Sequence, residues 1–144
     1  MSDFDALIRE SFDRQTIMAT IGATLETVER GRAVIALPYA KHICQQHGFL
    51  HAGVVTTIVD SACGYAAFSM MPEGSAVLTV EFKVNLMSPA KGDRFIAEGR
   101  VVKAGRTLTV TQGEVIAFDG DKQSTVAIIT ATMMRLEAKP GTVG

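Results

Sequence analysis

The amino-acid sequence predicts an α+β domain in which a mostly antiparallel sheet of about six strands wraps around one long central helix. Two observations lead to this fold class. Residues 52–68 form an apolar stretch that is long enough for a helix of several turns and contains a single charged residue, Asp60. Segments rich in β-forming residues, joined by short turns, lie on both sides of it. A helix that is apolar on most sides avoids water only if a sheet packs around it.

Three elements are predicted before the central helix. Residues 3–18 have the periodicity of an amphipathic helix, which Ser2 or Asp3 would cap. Its apolar face would comprise Phe4, Leu7, Ile8, Phe12 and Ile17. Residues 24–29 and 32–37 are the predicted strands of a hairpin, and Pro38 would stop the second strand.

The chain changes to strands after the central helix, which Pro72 and Gly74 would end. Four strands are predicted, at residues 76–87, 94–103, 107–118 and 123–136. Short turns join most neighbours, so the sheet is expected to be largely antiparallel. Residues 137–144 would form a frayed tail.

The composition is that of one domain, spanning residues 1–144. This length is sufficient for one hydrophobic core, and 47% hydrophobic and 20% charged residues are ordinary for a soluble globular protein. The formal net charge is −1 and no block of like charge occurs. We therefore expect neither nucleic acid nor a membrane surface as a partner.

The cysteines and the N-terminus indicate the compartment. Cys44 and Cys63 do not make a disulfide framework, and the first residues lack the pattern of a signal peptide, so a reduced, cytoplasmic protein is expected. Residues 52–71 are long enough to suggest a membrane span. Asp60 near its middle argues against one, because a central Asp costs about 2.5–3.5 kcal/mol on insertion scales.

Asp60 is the most informative residue of the chain. A carboxylate in an apolar helix is costly unless it is paired, hydrogen-bonded or used in chemistry. The polar, glycine-containing loop of residues 45–51 directly precedes that helix, and a helix N-terminus offers unpaired N–H groups to an anion. The residues alone leave two interpretations open. Asp60 is either a catalytic base or nucleophile, or a structural carboxylate that caps a strand or pairs with a lysine.

The element order and these motifs resemble the hotdog-fold acyl-CoA thioesterases, and most closely the PaaI-type group (phenylacetyl-CoA thioesterases and relatives). The resemblance spans roughly residues 20–136 and includes the runs 79–93 and 97–106. Its central motif is an amide residue, a G-x-x-H-G-G segment and a helix with an Asp, matched here by Gln45, Gly48, His51, Ala52, Gly53 and Asp60. Two positions depart from the pattern. Ala52 replaces the first glycine of H-G-G, and Gln45 replaces an asparagine.

The resemblance implies hydrolysis of an acyl-CoA thioester to free acid and coenzyme A. Asp60 would attack the carbonyl or activate a water. The N–H of Ala52, next to Gly53 at the start of the helix, would hold the oxyanion. Gln45 would orient the water or the carbonyl. Two residues would support this site: Thr79 beside the carboxylate, and His51, which would bond the loop backbone.

The resemblance further implies that two strand turns contact the nucleotide and phosphates of coenzyme A, through Lys91, Lys103, Gly105 and Arg106. The alternative is that these are ordinary solvated charges in turns, and that Gly105 serves the hairpin. The acyl pocket has four candidate lining residues: Met70, Met71, Phe82 and Met87. No cofactor is expected. A metal site is not expected either, because the spacing of His42, His47 and His51 fits no compact ligand pair.

Two other functions share features with this pattern. Hotdog-fold hydratases and dehydratases pair a histidine with an acid in loop motifs that this sequence lacks. A non-catalytic acyl-CoA binding module would retain the pocket but lose the acid, which is present here as Asp60.

The resemblance also implies a homo-oligomer, a dimer or a tetramer built from two dimers, with residues 76–87 or the central helix near the interface. Its active site would take the loop from one subunit and Asp60 from the other.

Overall fold

The computed structural model describes residues 3–137. It contains three α-helices and six β-strands. Their bounds are α1 Asp3–Arg14, α2 Thr16–Ile21, β1 Thr24–Glu29, β2 Arg32–Pro38, α3 Ala52–Phe68, β3 Ser75–Leu86, β4 Arg94–Ala104, β5 Leu108–Asp119 and β6 Lys122–Glu137. A single 3-10 turn, Lys41–Ile43, lies in the connection between β2 and α3.

The six strands form one sheet in the order β1-β2-β4-β5-β6-β3, and every neighbouring pair is antiparallel. The central helix α3 packs against this sheet and buries Ile58, Val59 and Ala62 completely. The predicted fold class is therefore confirmed: an antiparallel six-stranded sheet curves around a long apolar helix. This is the hotdog architecture.

Two glycines let α3 approach the sheet. Gly99 on β4 pairs with Gly113 on β5 in the strand register. A Cβ atom added to Gly99 would overlap the backbone of Ala62 and Cys63 on α3, and one added to Gly113 would lie 2.9 Å from Cγ2 of Val59. The two hydrogen side chains thus make a groove in the sheet that the middle of α3 occupies.

The N-terminal segment differs from the predicted single helix over residues 3–18. The helix is interrupted at Gln15, whose φ of −75° and ψ of 95° are extended rather than helical. A second helix, α2, then runs to Ile21. The break resets the helical periodicity, so Met18 and Ile21 are buried while Ile17 is exposed. In α1 the apolar face is narrower than expected. Ile8 and Phe12 are buried, whereas Phe4 and Leu7 are exposed. Ser2, one of the two expected caps, lies outside the described residues.

The predicted strands are confirmed with small shifts at their ends. Pro38 is the last residue of β2 rather than the residue after it, and it pairs with Arg94. Glu137 belongs to β6 rather than to the expected tail, of which residues 138–144 lie outside the described chain. Within residues 3–137, no helix has the length and apolar character needed to span a membrane.

Candidate functional site

The loop before α3 is held by Gln45. Its Oε1 atom accepts hydrogen bonds from the backbone N–H groups of His47 (2.6 Å) and Phe49 (3.2 Å), and its own N–H donates to the Phe49 carbonyl at 2.8 Å. Gly48 makes the reversal possible with a φ of +84°, a conformation that favours glycine. The side-chain oxygen of Gln45 therefore fixes the conformation of the loop. Its side-chain nitrogen, Nε2, forms no hydrogen bond to residues 3–137.

The first turn of α3 leaves one backbone donor free. His51 precedes the helix, and its Nδ1 accepts a hydrogen bond from the Gly53 N–H at 2.8 Å. The N–H groups of Val54 and Val55 donate to the His51 carbonyl. Among the described residues, no acceptor bonds the N–H of Ala52, which is exposed. The N–H of Gly53 is already bonded to His51, whereas the N–H of Ala52, the donor that the resemblance implies, can still donate to an anion.

A cavity of about 420 Å³ lies beside this free N–H group. Gln45 and Ala52 border it on the loop side, and the end of β3 with the residues that follow borders it on the other, namely Leu86, Met87 and Ser88. Of the four expected pocket residues, Met87 lies here. The loop, the helix N-terminus and the end of β3 therefore meet in one place.

Asp60 lies further along α3, in a second cavity of about 290 Å³. The Thr79 hydroxyl on β3 donates a hydrogen bond to Asp60 Oδ1 at 2.8 Å, and the same hydroxyl oxygen lies 3.2 Å from the Met133 sulfur on β6. The structure therefore brings together Asp60 and Thr79, as expected from the sequence. The structural alternative of a lysine partner is not what is observed.

Burial changes the acid–base properties of this part of the helix. It raises the pKa of Asp60, while the hydrogen bond from Thr79 acts in the opposite direction. Burial also raises the pKa of Cys63 to about 12, although Thr111 opposes this shift and the nearby Asp60 charge adds to it. The Cys63 thiol therefore stays protonated near neutral pH and is a poor nucleophile. Asp60 is the group in this cavity that suits a base or nucleophile.

The second cavity also contains residues that the sequence did not single out. The Tyr65 hydroxyl accepts a hydrogen bond from Gln15 Nε2 at 2.7 Å and lies 3.2 Å from Ser11 Oγ. Gln15 lies at the break between α1 and α2. Tyr65 could have been noticed as the aromatic hydroxyl of the apolar helix. The positions of Ser11 and Gln15 depend on how α1 packs, which the sequence does not reveal.

The two cavities are separate within one chain. Asp60 is eight residues after Ala52, which corresponds to about 12 Å along the helix axis. A single carbonyl group cannot contact both the Ala52 N–H and the Asp60 carboxylate across that distance. The helix therefore carries two halves of a site, one at its start and one in its middle.

The basic turns also lie far apart in one chain. Lys91 precedes β4, next to the loop cavity, whereas Lys103, Gly105 and Arg106 lie at the far end of β4. The strand between them is about 30 Å long at its usual rise per residue. All four residues are exposed. Gly105 has a structural role as well, since its N–H donates to the Leu108 carbonyl at 2.8 Å and closes the β4–β5 hairpin.

The three histidines do not converge. His51 caps α3, His42 Nε2 lies 3.1 Å from the Thr20 carbonyl, and the His47 backbone is bonded to Gln45. In the described part of the chain, no three side chains of His, Cys, Asp or Glu cluster at metal-binding distance. Each of the three histidines is thus involved in a hydrogen bond with a backbone group, and they do not approach one another.

The fold and the two half-sites define a hotdog domain with a carboxylate held against its central helix. The sequence model of the thioesterase superfamily matches residues 47–124, which include the loop from residue 47 onward, α3 and strands β3 to β5. The chain belongs to this superfamily. A curated putative esterase of Saccharolobus solfataricus is 31% identical over 121 residues, which cover 83% of this chain and 86% of that protein.

Two solved structures extend the comparison. A thioesterase family protein from Silicibacter pomeroyi superposes with a TM-score of 0.92 at 52% identity, covering 94% of this chain and 99% of that one. The PaaI protein of E. coli, from the phenylacetic acid degradation operon, superposes with a TM-score of 0.84 at 20% identity, covering 94% and 95%. The second likeness shows a shared fold. Together with the superfamily match it agrees with the PaaI-type resemblance.

Proposed function

We propose that this protein hydrolyses an acyl-CoA thioester to the free acid and coenzyme A. The observation that carries the proposal is the pair of half-sites on α3: an Ala52 N–H that bonds to no acceptor among residues 3–137, for the oxyanion, and a half-buried Asp60 held by Thr79 for the base or nucleophile. Membership of the thioesterase superfamily supports thioester hydrolysis in general. The acyl-CoA class follows from the resemblance and from the exposed basic turns.

The reaction uses these groups in a fixed order. Asp60 accepts a proton from a water molecule as the water oxygen bonds to the thioester carbonyl carbon, and the Ala52 N–H stabilises the resulting oxyanion. The intermediate then collapses, the carbon–sulfur bond breaks, and the coenzyme A thiolate leaves and takes up a proton. Alternatively, the carboxylate of Asp60 attacks the carbonyl itself, and water hydrolyses the acyl–aspartyl anhydride.

A dimer across β3 would bring the two halves together. Strand β3 is one of the two edges of the sheet among the described residues, and five large apolar side chains on and after it are exposed: Leu78, Val80, Phe82, Leu86 and Met87. Such an edge favours pairing with a second strand. In a two-fold antiparallel pair of β3 strands, the start of one strand faces the end of the other.

This pairing would bring the Asp60 cavity of one subunit, which borders the start of β3, against the partner's loop cavity, which borders the end of β3. The β4–β5 turn lies at the same end of the sheet as Thr79, since Thr109, Met133 and Thr79 are in register. Lys91 follows the segment that borders the loop cavity. The same pairing therefore brings the two basic turns from different subunits toward one site, where they suit the phosphates of coenzyme A.

The first test is release of free thiol from acyl-CoA substrates, read with a thiol reagent, beside hydration of enoyl-CoA, read as loss of its absorbance. Thiol release without hydration is the expected result. Hydration without thiol release would establish the hydratase alternative, and coenzyme A binding without either reaction would establish a binding module.

The second test concerns the shared site. Asp60→Asn removes the base, and Ala52→Pro removes the backbone donor. Each variant alone should be inactive, and a subunit-exchanged equal mixture should recover about a quarter of wild-type activity, since half of the dimers are mixed and each has one intact site. No recovery in a verified heterodimer would count against a site shared between the subunits.

A further inference from the structure

The peptide group between Gly48 and Phe49 is held from both sides of the loop before α3. On one side, the Tyr39 hydroxyl donates a hydrogen bond to the Gly48 carbonyl oxygen at 3.1 Å. On the other side, the Phe49 N–H donates to Gln45 Oε1 at 3.2 Å. The C=O and N–H of a trans peptide group lie in one rigid plane and point in opposite directions. The bond from Tyr39 therefore helps to fix the direction of the Phe49 N–H and its bond to Gln45.

Tyr39 is itself attached to the sheet. It directly follows β2, and its backbone N–H donates to the Asp93 carbonyl at 2.9 Å, just before β4 begins. Hydrogen bonding with the neighbouring Cys44 side chain raises the pKa of Tyr39, so the phenol keeps its proton at neutral pH and remains a donor. A donor anchored to the sheet thus holds the turn of the loop at Gly48.

The side-chain amide of Gln45 is engaged at its oxygen only. Oε1 accepts hydrogen bonds from two backbone N–H groups, those of His47 and Phe49, and these fill the two lone pairs of an amide oxygen. Gln45 also borders the loop cavity, beside Ala52. Because Oε1 is occupied and Nε2 forms no hydrogen bond to residues 3–137, Gln45 can serve a molecule in this cavity only as a donor. A donor suits the oxygen of a thioester carbonyl.

These hydrogen bonds form a continuous chain from the outer side of the loop to the cavity. The chain begins with the Tyr39 O–H and the Gly48 C=O. It continues from the Phe49 N–H of the same peptide group to the Gln45 amide, whose Nε2 is the last member. Each bond in such a chain polarises the next, because an amide whose oxygen accepts a hydrogen bond becomes a stronger donor at its nitrogen. Tyr39 is therefore placed both to orient the Gln45 amide and to strengthen its donor.

We propose that Tyr39 is a positioning residue for thioester hydrolysis, which holds the Gln45 amide so that Nε2 donates to the thioester carbonyl oxygen beside the Ala52 N–H. The inference rests on the proposed function, because it takes the loop cavity as the place of that carbonyl. It adds a residue outside the matched motif, and it gives Gln45 the carbonyl rather than the water as its partner. Tyr39 acts through Gln45 and does not touch the substrate.

The first experiment is a double-mutant cycle on thiol release from an acyl-CoA that the wild-type protein hydrolyses. Tyr39→Phe should lower kcat by about three- to tenfold, the scale of one hydrogen bond. KM should change by less than about twofold, because the donor bonds most strongly to the oxyanion of the transition state. Gln45→Glu keeps an acceptor oxygen for the loop N–H groups and removes the Nε2 donor. In that background Tyr39→Phe should have no further effect on kcat.

The controls separate this role from folding. Gln45→Glu should retain measurable turnover, since Asp60 and the Ala52 N–H remain. Lys41→Ala changes an exposed side chain in the same connection between β2 and α3 and should keep the wild-type kcat. The thermal midpoint of each variant is measured alongside. Hydrogen exchange adds a readout that does not depend on turnover. In Tyr39→Phe, the Phe49 N–H should exchange about two- to tenfold faster than in wild type.

Three results would overturn the proposal and leave thioester hydrolysis intact. One is an unchanged kcat in Tyr39→Phe. Another is an equal loss of kcat in the wild-type and Gln45→Glu backgrounds, because Tyr39 would then act on the loop as a whole. The third is an unchanged exchange rate at the Phe49 N–H. Absence of thiol release by the wild-type protein from every acyl-CoA would instead overturn the proposed function.

Discussion

The Thr79 hydroxyl donates a hydrogen bond to Asp60 Oδ1 at 2.8 Å, and this contact links the edge strand β3 to the middle of the central helix. The link orients the carboxylate from an element that would also carry the dimer interface. The position of this carboxylate oxygen then depends on how β3 is held. Pairing of β3 with a partner strand would fix both the carboxylate and the neighbouring half of the site.

Asp60→Asn should lower kcat for thioester hydrolysis by at least about a hundredfold, the scale expected for loss of a general base. The amide keeps the shape of the side chain and can still accept the Thr79 hydrogen bond, so the fold and coenzyme A binding should persist. Thiol release under saturating substrate measures the effect, with circular dichroism as the folding control. Near-normal turnover by this variant would establish Asp60 as a structural carboxylate.

The stability of the protein should depend on pH through the same residue. Burial raises the pKa of Asp60 above its value in the unfolded chain, despite the opposing Thr79 bond. The native state therefore retains this proton to higher pH than the unfolded state does, and the ionised carboxylate destabilises the fold as the pH rises through that interval.

Asp60→Asn removes this penalty. Relative to wild type, the variant should gain in thermal midpoint above the interval and gain little below the usual pKa of an Asp, about 3.9. Thermal denaturation across a pH series measures the difference. A wild-type advantage that grows with increasing pH would mean that the pKa of Asp60 is lowered rather than raised.

Most of the fold could be predicted from the sequence, because its helices, strands and turns are indicated by local patterns of residues. The apolar stretch around Asp60 and the turn residues between strands predicted α3 and all six strands. The break at Gln15 was missed, since nothing in residues 3–18 interrupts the helical periodicity strongly and the cause lies in tertiary packing. The contact with Tyr65 across 50 residues gives the Gln15 side chain its place. The spacing of residues along the sequence does not indicate contacts between residues so far apart.

The candidate site was predictable to a similar degree. Asp60, Thr79 and His51 occupy the positions that the motifs implied, although their catalytic roles remain predictions. The occupied N–H of Gly53 could not be foreseen, because it depends on the His51 rotamer. The contacts of Ser11 and Gln15 with Tyr65 could not be foreseen either, because they depend on how α1, a helix outside the motif, packs against α3.

Ala52→Pro tests the free backbone donor. Proline is well tolerated at the first position of a helix, where its missing N–H has no partner within the helix. His51 before it is extended, with φ −62° and ψ 141°, as a residue preceding proline requires. The variant should fold normally and lose about 10²–10³-fold in kcat, the scale for removal of one oxyanion donor.

Ala52→Ser is the matched control, because it changes the side chain and keeps the N–H group. It should retain most of the activity. If Ala52→Pro and Ala52→Ser have the same kcat in the thiol-release assay, the oxyanion is held elsewhere.

Lys91→Ala and Arg106→Ala should raise KM for acyl-CoA substrates and leave kcat almost unchanged. Both residues are exposed and would contact phosphates that bind equally in the ground state and the transition state. The effect should shrink at high ionic strength, where exposed charges are screened. Steady-state kinetics at two salt concentrations measures it.

Arg30→Ala is the control for this prediction, because Arg30 lies in the turn between β1 and β2 at the other edge of the sheet. An equal rise in KM for this variant would refute a specific phosphate site.

Gly99→Ala and Gly64→Ala should have opposite effects on stability. The methyl group at residue 99 would overlap the backbone of Ala62 and Cys63, which cannot move without displacing α3 from the sheet, whereas the one at residue 64 meets open space. Gly99→Ala should cost about 3 kcal/mol in the free energy of unfolding, at the upper end for an overpacked core. Gly64→Ala should gain about 0.5–1 kcal/mol, because alanine loses less entropy than glycine within a helix. Denaturant titration measures both changes, and equal stability of the two variants would show that Gly99 does not determine how closely α3 approaches the sheet.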